Sequence, residues 1–400
     1  MTRFDCDIVI AGGGVAGLSA AALFGQAGFS VVCVDPTPPV TERDADGSDL
    51  RTTAILQPAQ AMLEAAGIWA RLDPHAAPLR TMRIVDAGGE RPEPRVVKDF
   101  ESQDISDKPF GWNLPNWLLR RELVAQIATL PNVDFRPGTS AATLFTRETE
   151  ARVGLSDGTR LRCRLLIAAD GRNSAMRQAA GVPVKTTRYG QKALAFAVTH
   201  PIPHENVSTE IHRSGGPFTL VPLPDHDGRP SSAVVWMEQG PEAQRLADLD
   251  IAAFEAEMST RSCHLFGPLT LASRRTIWPI ISQLAERMWS TRVALVAEAA
   301  HVVPPIGAQG LNMSLGDMHV LLELARAAPE KLGEAEMLRT YHRRRHWEIN
   351  GRVTGIDLLN RTSMLATPAL RDARAMGLNA LYAMAPVRKT LMQLGLGARG

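Results

Sequence analysis

Gly12, Gly14 and Gly17, with Val15 and Ala16 between the last two, have the G-x-G-x-x-G spacing that suits a bound pyrophosphate. The first glycine permits a tight turn, the second lets the backbone approach the anion, and the third allows the following helix to pack closely on the preceding strand. Free N–H groups at the start of that helix then face the anion. Asp35, about 20 residues further on, is placed to accept hydrogen bonds from the ribose hydroxyls of an adenosine. A second segment with chemistry in it is Ala169-Asp170-Gly171-Arg172-Asn173-Ser174, with Arg177 just beyond. A third is Ala297-Glu298-Ala299-Ala300-His301, followed by Pro304-Pro305-Ile306-Gly307-Ala308-Gln309-Gly310-Leu311-Asn312. Taken alone, the glycine spacing allows NAD as readily as a flavin dinucleotide, and the Asp170 segment reads equally well as a strand, a turn and a helix cap.

These residues need elements to position them. Residues 8–11 form a short apolar run that fits a strand buried on both faces, residues 15–28 read as a helix stopped by a glycine, and residues 31–35 read as the next strand. This is a βαβ unit. Residues 36–49 turn to Pro, Thr and Asp and read as an exposed loop, and residues 57–72 and 118–130 read as helices. Strands are expected at 80–86 and 95–100, with a stretch rich in breakers at 101–115. Residues 153–163 alternate around Asp157-Gly158, a hairpin signal, and lead into a buried strand at 165–169. Several strand-like runs between Pro- and Gly-rich turns fill 193–235, another buried strand lies at 293–296, and beyond Gly310 the chain reads as mainly helical. The expected fold is therefore α/β. A Rossmann-like dinucleotide domain is assembled from 1–75, 116–185 and 286–330. An intergrown, mostly antiparallel-sheet substrate domain comes from 76–115 and 186–285, and a helical region follows at 331–400.

Four hundred residues suit two intergrown domains, since single cores stop growing at about 250–300 residues. A net charge of +2 gives no global basic field for nucleic acid. Cys6, Cys33, Cys163 and Cys263 are scattered without a metal spacing, which favours reduced thiols and a cytoplasmic setting. The amino terminus carries acids ahead of its apolar run, unlike a signal peptide, and no apolar run reaches the length of about 18 residues that a spanning helix needs.

The three segments, in this order, resemble those of the flavin-dependent aromatic monooxygenases of the para-hydroxybenzoate hydroxylase type, and the likeness covers nearly the whole chain. The resemblance implies a bound FAD. It puts the Asp170 segment near the pyrophosphate, where its aspartate also serves the reductant, and it lets Glu298 accept from the ribityl chain. Gly307, Gly310, Leu311 and Asn312 then open a helix whose N–H groups and dipole face the isoalloxazine C2 carbonyl, where negative charge gathers on reduction. Arg51, in Asp49-Leu50-Arg51-Thr52-Thr53-Ala54, resembles the family arginine that reaches the flavin, and Arg120, in Leu118-Leu119-Arg120-Arg121, sits where the family has an Arg or Gln near the cofactor. The sequence departs from the pattern at Ala297-Glu298, where the family has Gly-Asp. His301 is the one candidate for proton transfer, weighed against an ordinary packed histidine.

Gly216-Pro217-Phe218-Thr219-Leu220-Val221-Pro222-Leu223-Pro224, residues 301–312 and Gly377-Leu378-Asn379-Ala380-Leu381 narrow the likeness to the ubiquinone-biosynthesis hydroxylases. By implication the substrate is a polyprenylated phenol, NAD(P)H is the reductant and O2 supplies the oxygen placed on the ring. No second G-x-G-x-x-G appears for a nicotinamide, and no residue stands out as a base for the phenol. A hydroxylase of another aromatic compound, a prenyl-chain reductase and a non-catalytic flavoprotein scaffold of a quinone-making complex are the other readings. Residues 331–400 carry twelve Lys and Arg against five acids, among Leu378, Leu381, Tyr382, Met384, Leu391, Met392, Leu394 and Leu396. That combination suits a membrane surface, at the inner face of the cytoplasmic membrane, or a partner complex, and equally a helix packed on its own domain. His342 and His346 are spaced one helical turn apart without a third ligand, so no metal is expected.

Overall fold

The computed structural model describes residues 4–213, 215–364 and 368–396. Ile8–Ala11, Val31–Asp35, Leu165–Ala168 and Val293–Leu295 are apolar without alternation, and all but Asp35 of their residues are buried. Such runs need cover on both faces, which a parallel sheet between helices provides. They occupy the middle of a six-stranded sheet in the order Trp289–Ser290, Val293–Leu295, Leu165–Ala168, Ile8–Ala11, Val31–Asp35, Val133–Pro137. Every neighbouring pair is parallel except the outermost one, at Trp289–Ser290. Register matters most here. Ala11 lies beside both Ala168 and Val34, and Ala168 lies beside Leu295, so three strands that precede the three chemical segments end at one edge of the sheet. In open parallel sheets this carboxyl edge is where ligands bind.

The Val15–Gln26 helix is buried from Gly17 to Gly25 against that sheet. Its closeness explains two glycines. A Cβ at Gly17 would stand 1.8 Å from the Gly12 carbonyl oxygen, and one at Gly12, whose φ is +110°, would stand 2.3 Å from that of Ala169.

The second sheet is nine-stranded, and along its main path His301–Val302, Thr276–Ala285, Val184–Thr199, Arg229–Gln239, Pro217–His226, Val207–His212, Thr81–Asp86 and Val96–Glu101 follow one another. It is antiparallel save for the pairing of Val207–His212 with Thr81–Asp86. Leu194, Phe196, Val198, Phe218, Leu220, Val234 and Trp236 form its core with Leu246, Phe254 and Met258 from the helices Gly240–Asp248 and Ile251–Arg261. The chain leaves the first sheet at Leu295 and enters the second at His301, so the third chemical segment is the crossing between them.

Three local readings change. The helix expected at 57–72 breaks into Gln57–Ala65 and Trp69–Leu72, because Gly67 takes a left-handed φ of +73°. The breaker-rich stretch contains the strand Gly111–Pro115, which pairs with Thr52–Leu56, so its Pro115 ends a strand and precedes the Asn116–Ile127 helix. Strand structure in the second domain begins at Val184 and runs to Gln239, beyond the 193–235 expected, because polar Lys185, Thr186 and Thr187 still pair with Thr276–Ala285.

At the carboxyl end, Ala335–Ser363 is one long helix, and Pro368–Ala383 and Ala385–Leu396 form a helical pair against the edge strand Val96–Glu101. The contacts are Arg95 to Asp372 at 2.6 Å, Arg374 to Asp86 at 2.8 Å, Arg388 to Asp104 at 3.3 Å, and the Tyr382 hydroxyl donating to the Asp99 carbonyl at 3.0 Å. Covering that edge protects it from pairing with another chain. The four cysteines are buried and unpaired, and burial pushes the Cys6 thiol up to about 12.

Candidate cofactor and active site

The carboxyl edge of the parallel sheet gathers residues that lie far apart in the chain. The first and second segments touch through the turn at Gly12, which has no room for a side chain against Ala169 and Asp170. The second and third are tied by Arg177, whose guanidinium donates to the Ala299 carbonyl at 3.0 Å and to that of Arg172 at 3.1 Å, and by Arg172 beside Glu298 at 3.6 Å. Asn312 ties the third segment to the strand after Arg51: its amide donates to the carbonyls of Ala54 and Ala308 at 2.7 and 2.6 Å and accepts from the Leu56 N–H at 2.9 Å. Arg51 then grips Asp49 in a two-pronged pair at 2.8 and 2.7 Å, and Arg120 reaches the same carboxylate at 3.8 Å.

Each expected residue can be placed within this frame. Asp35 accepts from the Gly13 N–H at 2.6 Å and from Thr37 N–H at 2.8 Å, so its carboxylate braces the glycine turn. Asp170 caps the short Ala175–Ala179 helix, accepting from the Ser174 hydroxyl and, at 3.0 Å, from the Met176 N–H. Ser174 in turn accepts from the Arg177 N–H at 2.9 Å. Glu298 is half-exposed, and its charge acts on Arg51 across the cleft. Arg51 also lies under the Trp278 ring of the second sheet, 5.7 Å from its centre, which places it at the junction of the two domains. The Asp49 carboxyl is largely buried, which would raise its pKa, yet Arg51, Asn116 and Arg120 outweigh burial and hold it below the usual carboxylate range.

His301 is buried away from the cleft. Its Nε2 faces Asp317 at 2.7 Å, with both side chains essentially without solvent contact. Asp49, Asn116, Asp317 and Arg345 escaped the sequence reading. Asp317 left a signal all the same, because it is an acid on the same helical face as buried Met313 and Leu321, where an unpaired carboxylate would be costly.

The groups left open at this edge fit an anionic dinucleotide. Gly14 has an ordinary extended backbone, and a Cβ built there meets nothing within 4 Å, so a cradle lies in front of it that a larger side chain would fill. No side chain caps the Val15–Gln26 helix and no acid stands in its first turn, which leaves its N–H groups and dipole for an anion. The Gln309–Ala327 helix is likewise uncapped and without an acid in its first turn. It starts after left-handed Gly307 and Ala308, and Gly310 faces open space. The Arg120 Nε is buried without a protein partner, a donor set aside for something else. Among the described residues, no group of His, Cys, Asp and Glu is arranged to hold a metal ion. A cavity of about 570 Å3 lies along the Gln309–Ala327 helix, beside Asn312, Met62 and Trp347, and takes no lining from the first two segments.

A parallel sheet that delivers a glycine turn, an Asp-Gly turn and a carboxylate-bearing crossing to one edge defines a dinucleotide-binding flavoprotein joined to a substrate domain. The chain belongs to the FAD binding domain family, which it matches over residues 5–353, and it is an FAD-dependent monooxygenase. Its branch is that of the ubiquinone hydroxylases. It is 30% identical to the ubiquinone hydroxylase UbiL of Rhodospirillum rubrum, over 98% of this chain and 89% of that protein. It is 25% identical to the 3-demethoxyubiquinol 3-hydroxylase of Escherichia coli, over 99% of this chain and all of the other. The p-nitrophenol 4-monooxygenase PnpA of Pseudomonas putida shares the fold, with a TM-score of 0.80 at 20% identity and full coverage of both chains.

Proposed function

We propose that this protein hydroxylates the ring of a polyprenylated phenol in ubiquinone biosynthesis, with NAD(P)H as reductant and O2 as oxygen source. The observation that carries this reading is a third apolar cluster, separate from the cores of the two domains: Ala193, Met237, Ile280, Ile306 and Ile356, flanked by Tyr189, Val235, Trp278 and Val303. It joins the face of the antiparallel sheet to the Pro304–Gly307 loop and the long carboxyl-terminal helix. An aromatic ring with an apolar tail suits packing beside such a cluster, and water does not. The names of the relatives point to the same chemistry.

In this reading, residues 1–75, 116–185 and 286–330 hold FAD, and residues 76–115 and 186–285 hold the substrate. Gly12, Gly14, Val15, Ala16 and Gly17 would take the pyrophosphate, Asp35 the adenosine ribose and Glu298 the ribityl chain. Arg51, Arg120 and Asp170 would border the cofactor, and Gly307, Gly310, Leu311 and Asn312 would present a helix start to the flavin ring. Bound FAD supplies the redox chemistry. The chain's own residues orient the ring, exclude water and set positive potential where charge gathers, through the uncapped helix start.

The protein would work at a membrane surface, on the cytoplasmic side. No described helix is long and apolar enough to cross a membrane. The carboxyl-terminal helical pair nevertheless exposes Met376, Leu381, Met384, Val387, Leu391 and Leu394, with Met376 at 72% and Leu394 at 62% exposure, and Trp347 of the long helix is 82% exposed. Many of the cations that gave the tail its basic charge are spent in ion pairs, among them Arg344 with Glu323, Arg345 with Asp317, Arg361 with Asp357, Arg374 with Asp86 and Arg388 with Asp104. Apolar insertion, with charge in second place, is therefore the expected mode.

The test is the profile of quinone intermediates in a strain that lacks the gene. A polyprenylated ring short of one hydroxyl should accumulate and disappear when the native chain is restored. An unchanged profile refutes the pathway.

A further inference from the structure

Ala297 stands at the point where the chain leaves the first sheet for the second, and its φ is +53°. Glycine adopts that left-handed conformation freely, whereas alanine carries a Cβ that opposes it. Something must hold it there. The Ala297 N–H donates to Asp317 Oδ2 at 3.2 Å, and His301 Nε2 faces the same oxygen at 2.7 Å. Arg345 Nε donates to the other oxygen, Oδ1, at 2.9 Å, and the same guanidinium donates to the Met313 carbonyl at 3.0 Å. An ionised carboxylate only accepts, so His301 carries its proton on Nε2 and acts as a donor here. Asp317 is completely buried; burial would raise its pKa, but His301 and Arg345 outweigh it and keep the carboxyl below the usual range. On its far side the same turn is fastened by Arg177 through the Ala299 carbonyl. Glu298 thus projects from a turn clamped at both ends.

We infer that Asp317 is a positioning residue for the flavin: it holds Ala297 in the left-handed conformation that presents Glu298, and His301 serves the site through Asp317. This rests on the reading that the Ala297–Ala299 turn contacts FAD. It makes the histidine a brace for the cofactor in place of a proton shuttle. It also explains how the chain tolerates alanine where the related pattern has glycine, since the carboxylate supplies the restraint that alanine lacks by itself.

The test is titration of the apo-protein with FAD, followed by flavin fluorescence, with thermal unfolding of each apo-protein as a check on the fold. Asp317→Asn keeps the shape of the side chain but leaves one accepting oxygen where two are needed. It should weaken FAD by about tenfold, in line with the cost of a left-handed alanine. Adding Ala297→Gly to that variant should bring the affinity back to within about threefold of the native chain, because glycine needs no clamp. A general loss of folding would not be repaired by one glycine in the turn. If Asp317→Asn does not fold, His301→Ala replaces it in the same pair of titrations, with the same rescue expected. Failure of Ala297→Gly to restore FAD affinity to a folded variant overturns the inference, as does native affinity in Asp317→Asn. Glu298→Ala separates the two levels. If it weakens FAD while Asp317→Asn does not, only the positioning role falls; if both bind FAD as the native chain does, the contact between turn and flavin falls as well.

Discussion

Gly14 and Gly17 belong to one motif, yet their surroundings set opposite demands, and replacing each separates binding from folding. At Gly14 the backbone is extended, with φ −69° and ψ 177°, which valine adopts readily, and the added Cβ meets no atom within 4 Å. The remaining cost to the apo-protein is that of a poor helix cap, about 1 kcal/mol. For a chain of 400 residues that is a fall in Tm of about 1 °C. The same methyl groups would fill the cradle in front of the glycine. Blocking backbone approach to the pyrophosphate carries the penalty of an overpacked contact, about 1–3 kcal/mol, and so weakens FAD by about 5- to 150-fold. Gly17→Ala behaves differently. Its Cβ would lie 1.8 Å from the Gly12 carbonyl oxygen, so helix and strand must move apart, and both Tm and FAD affinity should fall. The assay is thermal unfolding of the two apo-proteins beside fluorescence titration with FAD. A Gly14→Val variant that keeps native FAD affinity would falsify the placement of the pyrophosphate, and one whose apo-protein unfolds as early as that of Gly17→Ala would refute the distinction drawn between the two glycines.

Three further predictions concern other parts of the molecule. Glu298→Gln should weaken FAD modestly and Glu298→Ala by about 1–3 kcal/mol, as expected if ribityl donors lose their acceptor; equal affinities for native and alanine forms would place the carboxylate in solvent. The Asp317 carboxyl has a depressed pKa in the folded chain, so its stabilisation is full above about pH 4 and is lost as the pH falls through the lower folded value. The gap in Tm between the native chain and Asp317→Asn should accordingly narrow on acidification below that point, and a gap that widens contradicts the assignment. In vesicle flotation, Leu391→Glu together with Leu394→Glu should lower the partition constant by about a hundredfold or more, as loss of two buried leucine side chains requires, while salt has a smaller effect. Binding that survives the double change but disappears in salt would return the interaction to charge.

The motifs were legible because each follows a buried apolar run. Ile8–Ala11, Leu165–Ala168 and Val293–Leu295 announce parallel strands by composition, and the glycine turn, Asp170-Gly171 and Ala297-Glu298 come directly after them. What no single stretch of sequence carries is the register that brings Ala11, Ala168 and Leu295 to one edge. The clamp on the turn was hidden for a similar reason, since Asp317 and Arg345 lie 28 residues apart on two helices and meet only in the packed fold. In the tail, composition did not show how the charges are partnered. Twelve basic residues beside apolar positions in 331–400 suited a membrane surface, a partner complex or a packed helix, and Asp86, Asp104, Asp317 and Glu323, all outside that segment, pair with several of them. Asn312, read as part of the helix start that faces the flavin, also staples that start through its side chain to the strand after Arg51, a contact that only the packed fold reveals.

The proposed reaction places one oxygen atom on the ring of a prenylated phenol. Its most direct test supplies the FAD-loaded protein with NADH, a polyprenylphenol and isotopically labelled O2, and reads the product by mass. The expected product carries one labelled oxygen on the ring and forms together with NADH consumption that the phenol stimulates. A product that gains only hydrogen in its prenyl chain, or a phenol recovered unchanged while NADH is consumed, would contradict it.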